Sequence, residues 1–173
     1  MTCDAVDQGA SPSPEADSMS ETDQTIPLGV RWAEFADAAP ELAADIAARF
    51  AASLHHVLGT LRADGAPRLS GTEVAVAHGD VRLGMMPGSH KLRDVRRDPR
   101  VELHSAPLER NLVEGDARLS GHLLEEPRRD GDATEGVYLR LAIQRASLVR
   151  VVDSELHVTV WDPAAGLRLV RRS

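Results

Sequence analysis

The sequence predicts a mainly β fold, a barrel or a sandwich of antiparallel strands with helices on its N-terminal side. Most of the chain after residue 55 alternates apolar and polar residues with a period of two, which is typical of strands with one buried face. Turn-forming segments such as Ala63–Gly65 and His78–Asp80 separate these stretches at hairpin spacing. Only residues 30–52 show a clear helical period. Many short strands, tight turns and few helices favour a barrel or sandwich over a parallel sheet.

The composition predicts one globular domain behind an acidic N-terminal segment. The chain of 173 residues is long enough to bury a core, but it holds only two Trp, two Phe and one Tyr, so the core must consist mainly of Val, Leu and Ala. Of the net charge of −7, residues 1–25 contribute six negative charges and no positive one, through Asp4, Asp7, Glu15, Asp17, Glu21 and Asp23. The remaining chain is nearly neutral, which does not indicate nucleic-acid binding by bulk charge.

The N-terminal segment and the single cysteine limit the class of protein further. Residues 1–27 are rich in Ser, Asp, Glu, Pro and Thr, so we expect a disordered acidic tail before a domain over residues 28–173. Cys3 alone excludes a disulfide framework and Cys-based metal sites within the chain. No apolar run approaches about 18 residues, and the N-terminus lacks a basic start with an apolar core. A cytoplasmic protein without membrane contact is therefore expected.

Residues 30–52 predict two short helices. Pro40 interrupts the helical pattern and is expected in the first turn of the second helix. The apolar face of the pair is formed by Trp32, Phe35, Leu42, Ile46 and Phe50. Trp32 and Phe35 are expected to pack as an apolar anchor against a sheet or a partner subunit.

The remaining pattern predicts strands joined by short turns. Gly115 indicates a bulge that bends a long strand, and residues 137–141 suggest a short, weakly helical piece. The predicted strands are His56–Leu61, Pro67–Ala77, Val81–Met85, Val101–Ser105, Asn111–Leu124, Ile143–Val152, Glu155–Trp161 and Leu167–Val170.

The most distinctive chemistry lies between Gly84 and Val101, in the sequence GMMPGSHKLRDVRRDPRV. A strand ends before a Pro-Gly turn, and Ser89, His90 and Lys91 follow at the start of a short basic helix. Hydroxyl, imidazole and ammonium donors beside the free N–H groups of a helix start form a good anion site. We interpret this turn as the site for the phosphate of a flavin-type cofactor. The alternative is a polar loop followed by a solvated basic helix.

A second candidate group lies on the strand after residue 66. Alternation places Arg68, Ser70 and Thr72 on one face of that strand. Arg68 is either a second ligand that converges with Lys91 on one anion or an exposed arginine after a turn. Gly71 either lets a flat ring approach the backbone or marks a bulge.

Other site classes lack the required residues. The seven histidines include no His-x-His or His-x-x-x-His pair, and the adjacent His55 and His56 point to opposite faces of a strand, so a metal site is not expected. The sequence contains no nucleophile elbow and no glycine-rich loop of the Walker or Rossmann type.

Three segments together resemble a known family. LGTLRADGAPRLSGTEV, VRLGMMPGSHKLRDVRRDPRVELHS and LERNLVEGDARLSG are similar to the pyridoxamine 5′-phosphate oxidase-like, FMN-binding split-barrel family. The resemblance covers the chain well from His55 to Ser120 and more loosely beyond. It implies a six-stranded antiparallel split barrel of Greek-key type that pairs as a homodimer, with two FMN sites at the interface. The apolar ends of Trp32 and Trp161, expected to be exposed, are consistent with such pairing.

The resemblance also assigns the cofactor-contacting positions. Arg68 and Lys91 would hold the phosphate, with Ser89 and His90 beside it. Met85 and Met86 take the place of polar ring-edge residues, and Asn111 matches a glutamine that approaches the ring from the partner region. The positions that would line the ribityl chain and the ring are Leu69, Ser70, Gly71 and Thr72.

The implied function is a flavin-dependent oxidoreductase that acts on an unknown small molecule. The cofactor would carry the chemistry, and no side chain is assigned as a general acid or base. Pyridoxal-phosphate synthesis is not expected, because the Arg-x-His substrate segment of the classical enzyme has no match near the C-terminus. Two alternatives remain open. One is a reductase that uses the deazaflavin coenzyme F-420, with Arg93, Arg96 and Arg97 along its acidic tail. The other is a non-enzymatic carrier or sensor of flavin or haem.

Overall fold

The computed structural model describes residues 28–107, 112–133 and 135–172, so the predicted tail over residues 1–27 lies outside the described residues. None of the helices in these three ranges is long and apolar enough to cross a lipid bilayer. The elements in chain order are α1 (Trp32–Ala38), α2 (Pro40–Ala51), β1 (His55–Leu61), β2 (Pro67–Glu73), β3 (Ala75–Ala77), β4 (Asp80–Met85), α3 (His90–Arg97), β5 (Arg100–His104), β6 (Asp116–Glu126), β7 (Val137–Val152), β8 (Glu155–Asp162) and β9 (Gly166–Arg172).

The sheet is organised around β7, a strand of 16 residues. Seven strands follow the order β2-β1-β5-β6-β7-β4-β3, and the β8–β9 hairpin also joins β7. β6 pairs along one edge of β7. On the other edge β4 pairs with Val137–Arg140 and β8 with Ala146–Val152, while Val30 pairs with Ile143 in between. One edge of β7 is therefore shared by two groups of strands, which splits the barrel. The predicted fold class, an antiparallel split barrel with N-terminal helices, is confirmed.

The two N-terminal helices form as predicted and pack on the sheet. Pro40 occupies the first turn of α2, where its missing N–H breaks no helical hydrogen bond. The Phe35 ring lies 5.3 Å from Trp32 and 4.9 Å from Trp161, measured between ring centroids. The expectation that both indoles are exposed is wrong: Trp32 is 9% and Trp161 5% exposed, because both belong to the apolar core and pack against the Phe35 ring.

The predicted strand Pro67–Ala77 is two strands. β2 pairs with β1, whereas β3 pairs with β4. The chain changes its pairing partner at Val74, which packs against the core. This break separates β2 from β3 and opens space between β2 and β4.

Two further strand predictions need correction. The strand expected over Asn111–Leu124 begins only at Asp116, and Asn111 lies outside the described residues. Gly115 precedes the strand with φ +85°, and the register shift lies instead between Ser120 and Gly121. Residues 137–141 are not helical but form the start of β7, because backbone pairing with β4 and β6 on both sides outweighs the weak local preference.

Candidate cofactor-binding site

An open cleft with a volume of about 1170 Å³ lies between β2, β4, the start of α3 and the residues Asp132, Ala133, Glu135, Gly136 and Tyr138. Its apolar lining includes Leu54, Pro87 and Tyr138. Within the described residues, the predicted site residues that line the cleft are Gly71, Thr72, Met85, Met86, Ser89 and Lys91.

The first turn of α3 lies at this cleft. Ser89 caps the helix: its backbone is extended, with φ −62° and ψ 150°, and its Oγ accepts a hydrogen bond of 3.4 Å from the Leu92 N–H. The preceding turn is closed by the Ser89 N–H, which donates to the Met86 carbonyl at 3.2 Å. The N–H groups of His90 and Lys91 belong to the first turn, which has no intrahelical acceptors. The helix therefore presents donors and the positive end of its dipole to the cleft.

Lys91 supplies a desolvated positive charge to this end of the cleft. Its Nζ donates a hydrogen bond of 2.7 Å to the Gly71 carbonyl, and among the described residues it forms no ion pair with a carboxylate. Burial lowers the pKa of Lys91, and the negative charge of Glu73 acts in the opposite direction. Within the described residues the ammonium group has thus lost part of its hydration without forming an ion pair, and Glu73 is the carboxylate whose charge acts on it.

Arg68 extends from β2 to the same helix, one turn further along. Its Nε donates to Oδ2 of Asp94 at 2.6 Å, and the Asp94 side chain is 6% exposed. Thr60 on the paired strand β1 also donates to that oxygen, at 3.0 Å. Burial alone would raise the pKa of Asp94, but the hydrogen bonds from Arg68 and Thr60 hold that pKa below its usual value. Arg68 is thus anchored at the interface of β2 and α3 rather than in the cleft lining.

Comparison with known proteins supports the fold. No protein-family model matches the sequence, and no curated protein matches it significantly. Among solved structures, PhzG from Burkholderia lata in complex with tetrahydrophenazine-1-carboxylic acid is similar with a TM-score of 0.58 at 11% identity, over 86% of this chain and 94% of that one. A candidate pyridoxamine 5′-phosphate oxidase from Listeria innocua has a TM-score of 0.52 at 13% identity, over 61% of this chain and 95% of that one. A conserved hypothetical protein from Mycobacterium tuberculosis has a TM-score of 0.51 at 23% identity, over 60% and 81%.

This chain has the split-barrel fold of the pyridoxamine 5′-phosphate oxidase-like proteins. At these identities the likeness concerns the fold.

The predicted site residues differ in their exposure and in whether they line the cleft. Thr72 is 4% exposed and Met85 is 2% exposed, whereas Met86 is 76% exposed at the cleft. Leu69 is 75% exposed on β2, and Ser70 on the opposite face of β2 is half-buried. His90 lies on the surface of α3, where Nδ1 is 2.9 Å from a guanidinium nitrogen of Arg93. Leu69, Ser70, His90 and Arg68 do not line the cleft.

The wall of the cleft opposite Lys91 was not predicted from the sequence. Arg82 lines the cleft from β4, and its guanidinium carbon lies 5.2 Å from the centroid of the Tyr138 ring. It also donates to both oxygens of Asp132, at 3.3 and 3.1 Å. The Tyr138 hydroxyl accepts a hydrogen bond of 2.7 Å from the Ala133 N–H. The only sequence signal was the position of Arg82, which alternates with the apolar residues of its strand. Asp132 was not singled out, and Tyr138 belongs to the segment 137–141, which was expected to be weakly helical.

Metal chemistry has no ready set of ligands in the described part of the chain. No three His, Cys, Asp or Glu side chains within it lie close enough together to hold a metal ion. The charged groups at the cleft are instead the ammonium of Lys91, the carboxylates of Glu73, Asp132 and Glu135, and the guanidinium of Arg82.

Proposed function

We propose that this protein binds FMN in the cleft and acts as a flavin-dependent oxidoreductase on a small molecule. The observation that carries the proposal is Lys91: a half-buried ammonium group without a carboxylate partner among the described residues, at the N-terminus of α3 and at one end of the cleft. A phosphate group is the partner of opposite charge that suits both the ammonium and the helix terminus.

The first turn of α3 offers several donors to one phosphate. Ser89, as the helix cap, provides a hydroxyl at the cleft. The first-turn N–H groups of His90 and Lys91 supply neutral donors, and Lys91 Nζ supplies the charge-assisted one. Because an ammonium group has three N–H donors, the bond to Gly71 leaves two for a ligand.

The remaining cleft suits a flat ring. Met85 and Tyr138 supply apolar surface, and Gly84 and Gly71 have no side chains that would fill the space between the walls. At Gly84 a methyl group would approach the Tyr138 ring to 3.3 Å, whereas at Gly71 it would meet no heavy atom within 4 Å. The volume of about 1170 Å³ exceeds the roughly 300–1,000 Å³ of ordinary ligand pockets, so the cleft has room for a cofactor and a second small molecule.

The residues at the cleft indicate which part of the reaction FMN would carry out and which part the protein would. Bound FMN would supply hydride or electron transfer. The protein would hold the phosphate at the start of α3, orient the ring between β2 and β4, and exclude water with Met85 and Tyr138. No side chain is assigned as a general acid or base.

We further propose that the functional unit is a homodimer with the cleft at its interface. Three large apolar side chains near the cleft are strongly exposed: Leu54 at 63%, Leu69 at 75% and Met86 at 76%. Contiguous exposed apolar surface is typical of an interaction site. A second copy that covered these side chains would also close the open side of the cleft. Light scattering at micromolar concentration tests this, and a stable monomer would contradict it.

The direct test of the function is titration of the apo protein with FMN and with riboflavin, which lacks the phosphate. We expect FMN to bind, and Lys91→Ala to weaken FMN by about 1.5–3 kcal/mol, or about tenfold or more, with little effect on riboflavin. Arg100→Ala is the matched control, since Arg100 follows the far end of α3 and pairs with Asp98. Failure of the wild-type protein to bind FMN would overturn the proposal and direct the same titration to a deazaflavin and to haem.

A further inference from the structure

The sheet formed by β7, β8 and β9 carries apolar side chains on the face that points away from the core. The strand register places Val149, Val158 and Val170 opposite one another, so their side chains share one face. Alternate positions of the same strands point to the other face, where Leu148 and Trp161 are buried in the core. The outer patch consists of Val149, Val151, Leu156, Val158, Val160 and Val170.

The outer patch does not belong to the core that the described residues form. Val170 is 44% exposed, and the other five side chains are partly exposed. Helix α1 packs on the opposite face, where the rings of Phe35 and Trp161 lie 4.9 Å apart between centroids. A group of adjacent apolar side chains that remains in contact with solvent is typical of an interaction surface.

The strand positions around the outer patch carry a net positive charge. The charged residues on this face of β6, β7, β8 and β9 are Asp116, Arg118, Arg145, Asp162, Arg168 and Arg172. Arg168 pairs with Asp162 at 2.6 Å. The other three arginines form no ion pair within the described residues. A second copy of this face would bring like charges together, whereas a segment with acidic and apolar side chains would complement it.

The first described residue, Leu28, lies on the same side of the sheet as the outer patch. Its carbonyl oxygen is 3.2 Å from Nδ1 of His122 on β6. Because side chains alternate along β6, His122 points to the same face as Arg118. Gly29 lies against the backbone of β7, where an added methyl group would be 2.7 Å from the carbonyl of Ala142. The chain that precedes Leu28 therefore emerges at the outer face.

The N-terminal segment has the charge and the length to cover the outer patch. Residues 1–25 carry six acidic residues and no basic one, together with apolar residues such as Val6 and Met19. From His122 to Asp116, which pairs with Val149, the distance along β6 is roughly 20 Å. An extended segment of 27 residues can span up to roughly 90 Å. The segment can thus reach the whole patch of its own chain.

We propose that the acidic segment over residues 1–25 docks on the outer patch of its own chain. Its carboxylates lie beside Arg118, Arg145 and Arg172, and its apolar side chains cover the valines. The docked segment shields this face and the free edge of β9 from association with other chains. No residue of the outer patch lines the candidate cofactor cleft, so the inference does not rest on FMN binding.

The only cysteine of the chain, Cys3, allows a direct test in the full-length protein. A nitroxide spin label on Cys3 broadens the NMR signals of methyl groups that lie close to it. We expect the methyl signals of Val149, Val158 and Val170 to lose most of their intensity. The signal of Leu69, which is exposed on β2, should keep its intensity. Absence of broadening at the three valines would overturn the proposal.

Charge reversal tests whether the arginines hold the segment. The double variant Arg118→Glu, Arg145→Glu should restore the valine signals. The matched control is Arg62→Glu, Arg93→Glu, which changes the charge equally at two exposed positions outside this face and should leave the signals broadened. Signals that stay broadened in the first variant, or that recover equally in both, would contradict the proposal.

A variant of the segment itself serves if the strand variant does not fold. Replacement of its six carboxylates by amides changes no described residue and should also restore the valine signals. Continued broadening in this variant would overturn docking through charge. The replaced residues are Asp4, Asp7, Glu15, Asp17, Glu21 and Asp23.

A mixed sample shows whether the segment docks on its own chain or on another copy. Spin-labelled protein of natural isotope content is mixed with isotope-labelled Cys3→Ser protein, so that only contacts between copies broaden the observed signals. We expect the valine signals to stay sharp in this mixture. Broadening equal to that within one labelled chain would mean that the segment docks on a second copy, and would overturn the proposal.

Discussion

The Lys91 ammonium group donates a hydrogen bond of 2.7 Å to the Gly71 carbonyl and so joins the first turn of α3 to β2. The contact places a positive charge at the end of the cleft without an ion-pair partner among the described residues. Burial lowers the pKa of this group from its usual value of 10.5, with an opposing influence from Glu73. Phosphate binding should therefore respond to pH below the range in which ordinary lysines lose their proton.

We expect FMN affinity to fall as the pH rises from 7 toward 10. A lowered pKa means that Lys91 loses its charge below pH 10.5, and with the charge it loses its attraction for phosphate. Lys91→Arg should remain charged throughout, because the guanidinium pKa lies above about 12, so its affinity should stay level. Titration with FMN at several pH values measures this, with riboflavin as the control for ionisation of the ring. A wild-type profile as flat as that of Lys91→Arg would refute the assignment of Lys91 to the phosphate.

Gly71 permits a test of the ring position. A methyl group there would meet no heavy atom within 4 Å, so Gly71→Ala should change the free energy of unfolding by less than about 1 kcal/mol. The residue lines the cleft, however, and the added methyl would occupy space that a flat ring needs. We expect FMN and riboflavin to weaken equally, by roughly three- to tenfold, in contrast to the phosphate-selective effect of Lys91→Ala. Unchanged affinity for both flavins would place the ring elsewhere.

The helix-start part of the site could be predicted because its signals are local. Ser89 at the cap, the Pro-Gly turn before it and Lys91 in the first turn lie within a few residues of one another. Local hydrogen bonds fix them whatever the rest of the chain does. The mainly β fold was predictable for the same reason, since hairpin turns and alternation are short-range features.

The opposite wall could not be predicted because pairings between distant parts of the chain create it. Tyr138 reaches the cleft only because β7 pairs with β4, where Gly84 lies opposite Tyr138. Asp132 meets Arg82 across 50 residues of sequence. Arg68 was predicted to bind the phosphate, yet the structure pairs it with Asp94, which is 26 residues away and on a helix. No spacing rule connects a strand residue with a helix residue at that separation.

We expect Asp98, at the end of α3, to stabilise the protein in a way that is lost in acid. Hydrogen bonds from the Arg100 side chain are the main reason that the pKa of Asp98 falls from 3.8 to about 2. A carboxylate with a lowered folded-state pKa stabilises the protein above its unfolded pKa, and the effect is lost as the pH falls from about 4 toward 2. Because Asp98 is 23% exposed and Arg100 66%, solvent screening limits the contribution to about 1 kcal/mol.

The variant Asp98→Asn isolates this charge, because an amide oxygen still accepts the backbone hydrogen bond from the Arg100 N–H. At pH 7 it should unfold about 1 kcal/mol more easily than the wild type. The difference should shrink when urea denaturation is repeated at pH 4 and again at pH 3. A difference that stays constant over this range would show that the charge of Asp98 does not act through its lowered pKa.

Outside the candidate site, Asp80 is the carboxylate of the described residues whose replacement we expect to lower the free energy of unfolding most. Its side chain is 0% exposed and accepts hydrogen bonds from Arg31 at 2.9 and 2.7 Å and from Arg129 at 2.8 Å. Burial alone would raise the pKa of Asp80, but these two arginines hold it below its usual value. The carboxylate therefore connects the segment before α1 and the loop after β6 to the first residue of β4.

We expect Asp80→Asn to lower the free energy of unfolding by about 2–4 kcal/mol, because the amide replaces a charged acceptor of three hydrogen bonds and leaves an N–H₂ group facing two arginines. Asp45→Asn is the control. Asp45 pairs with Arg150 at 3.2 Å with both side chains more than one third exposed, so its loss should cost less than about 1 kcal/mol. Urea denaturation at pH 7 compares the two variants. Equal and small effects would mean that Arg31 and Arg129 do not depend on Asp80 to hold the loop that carries Asp132 against the cleft.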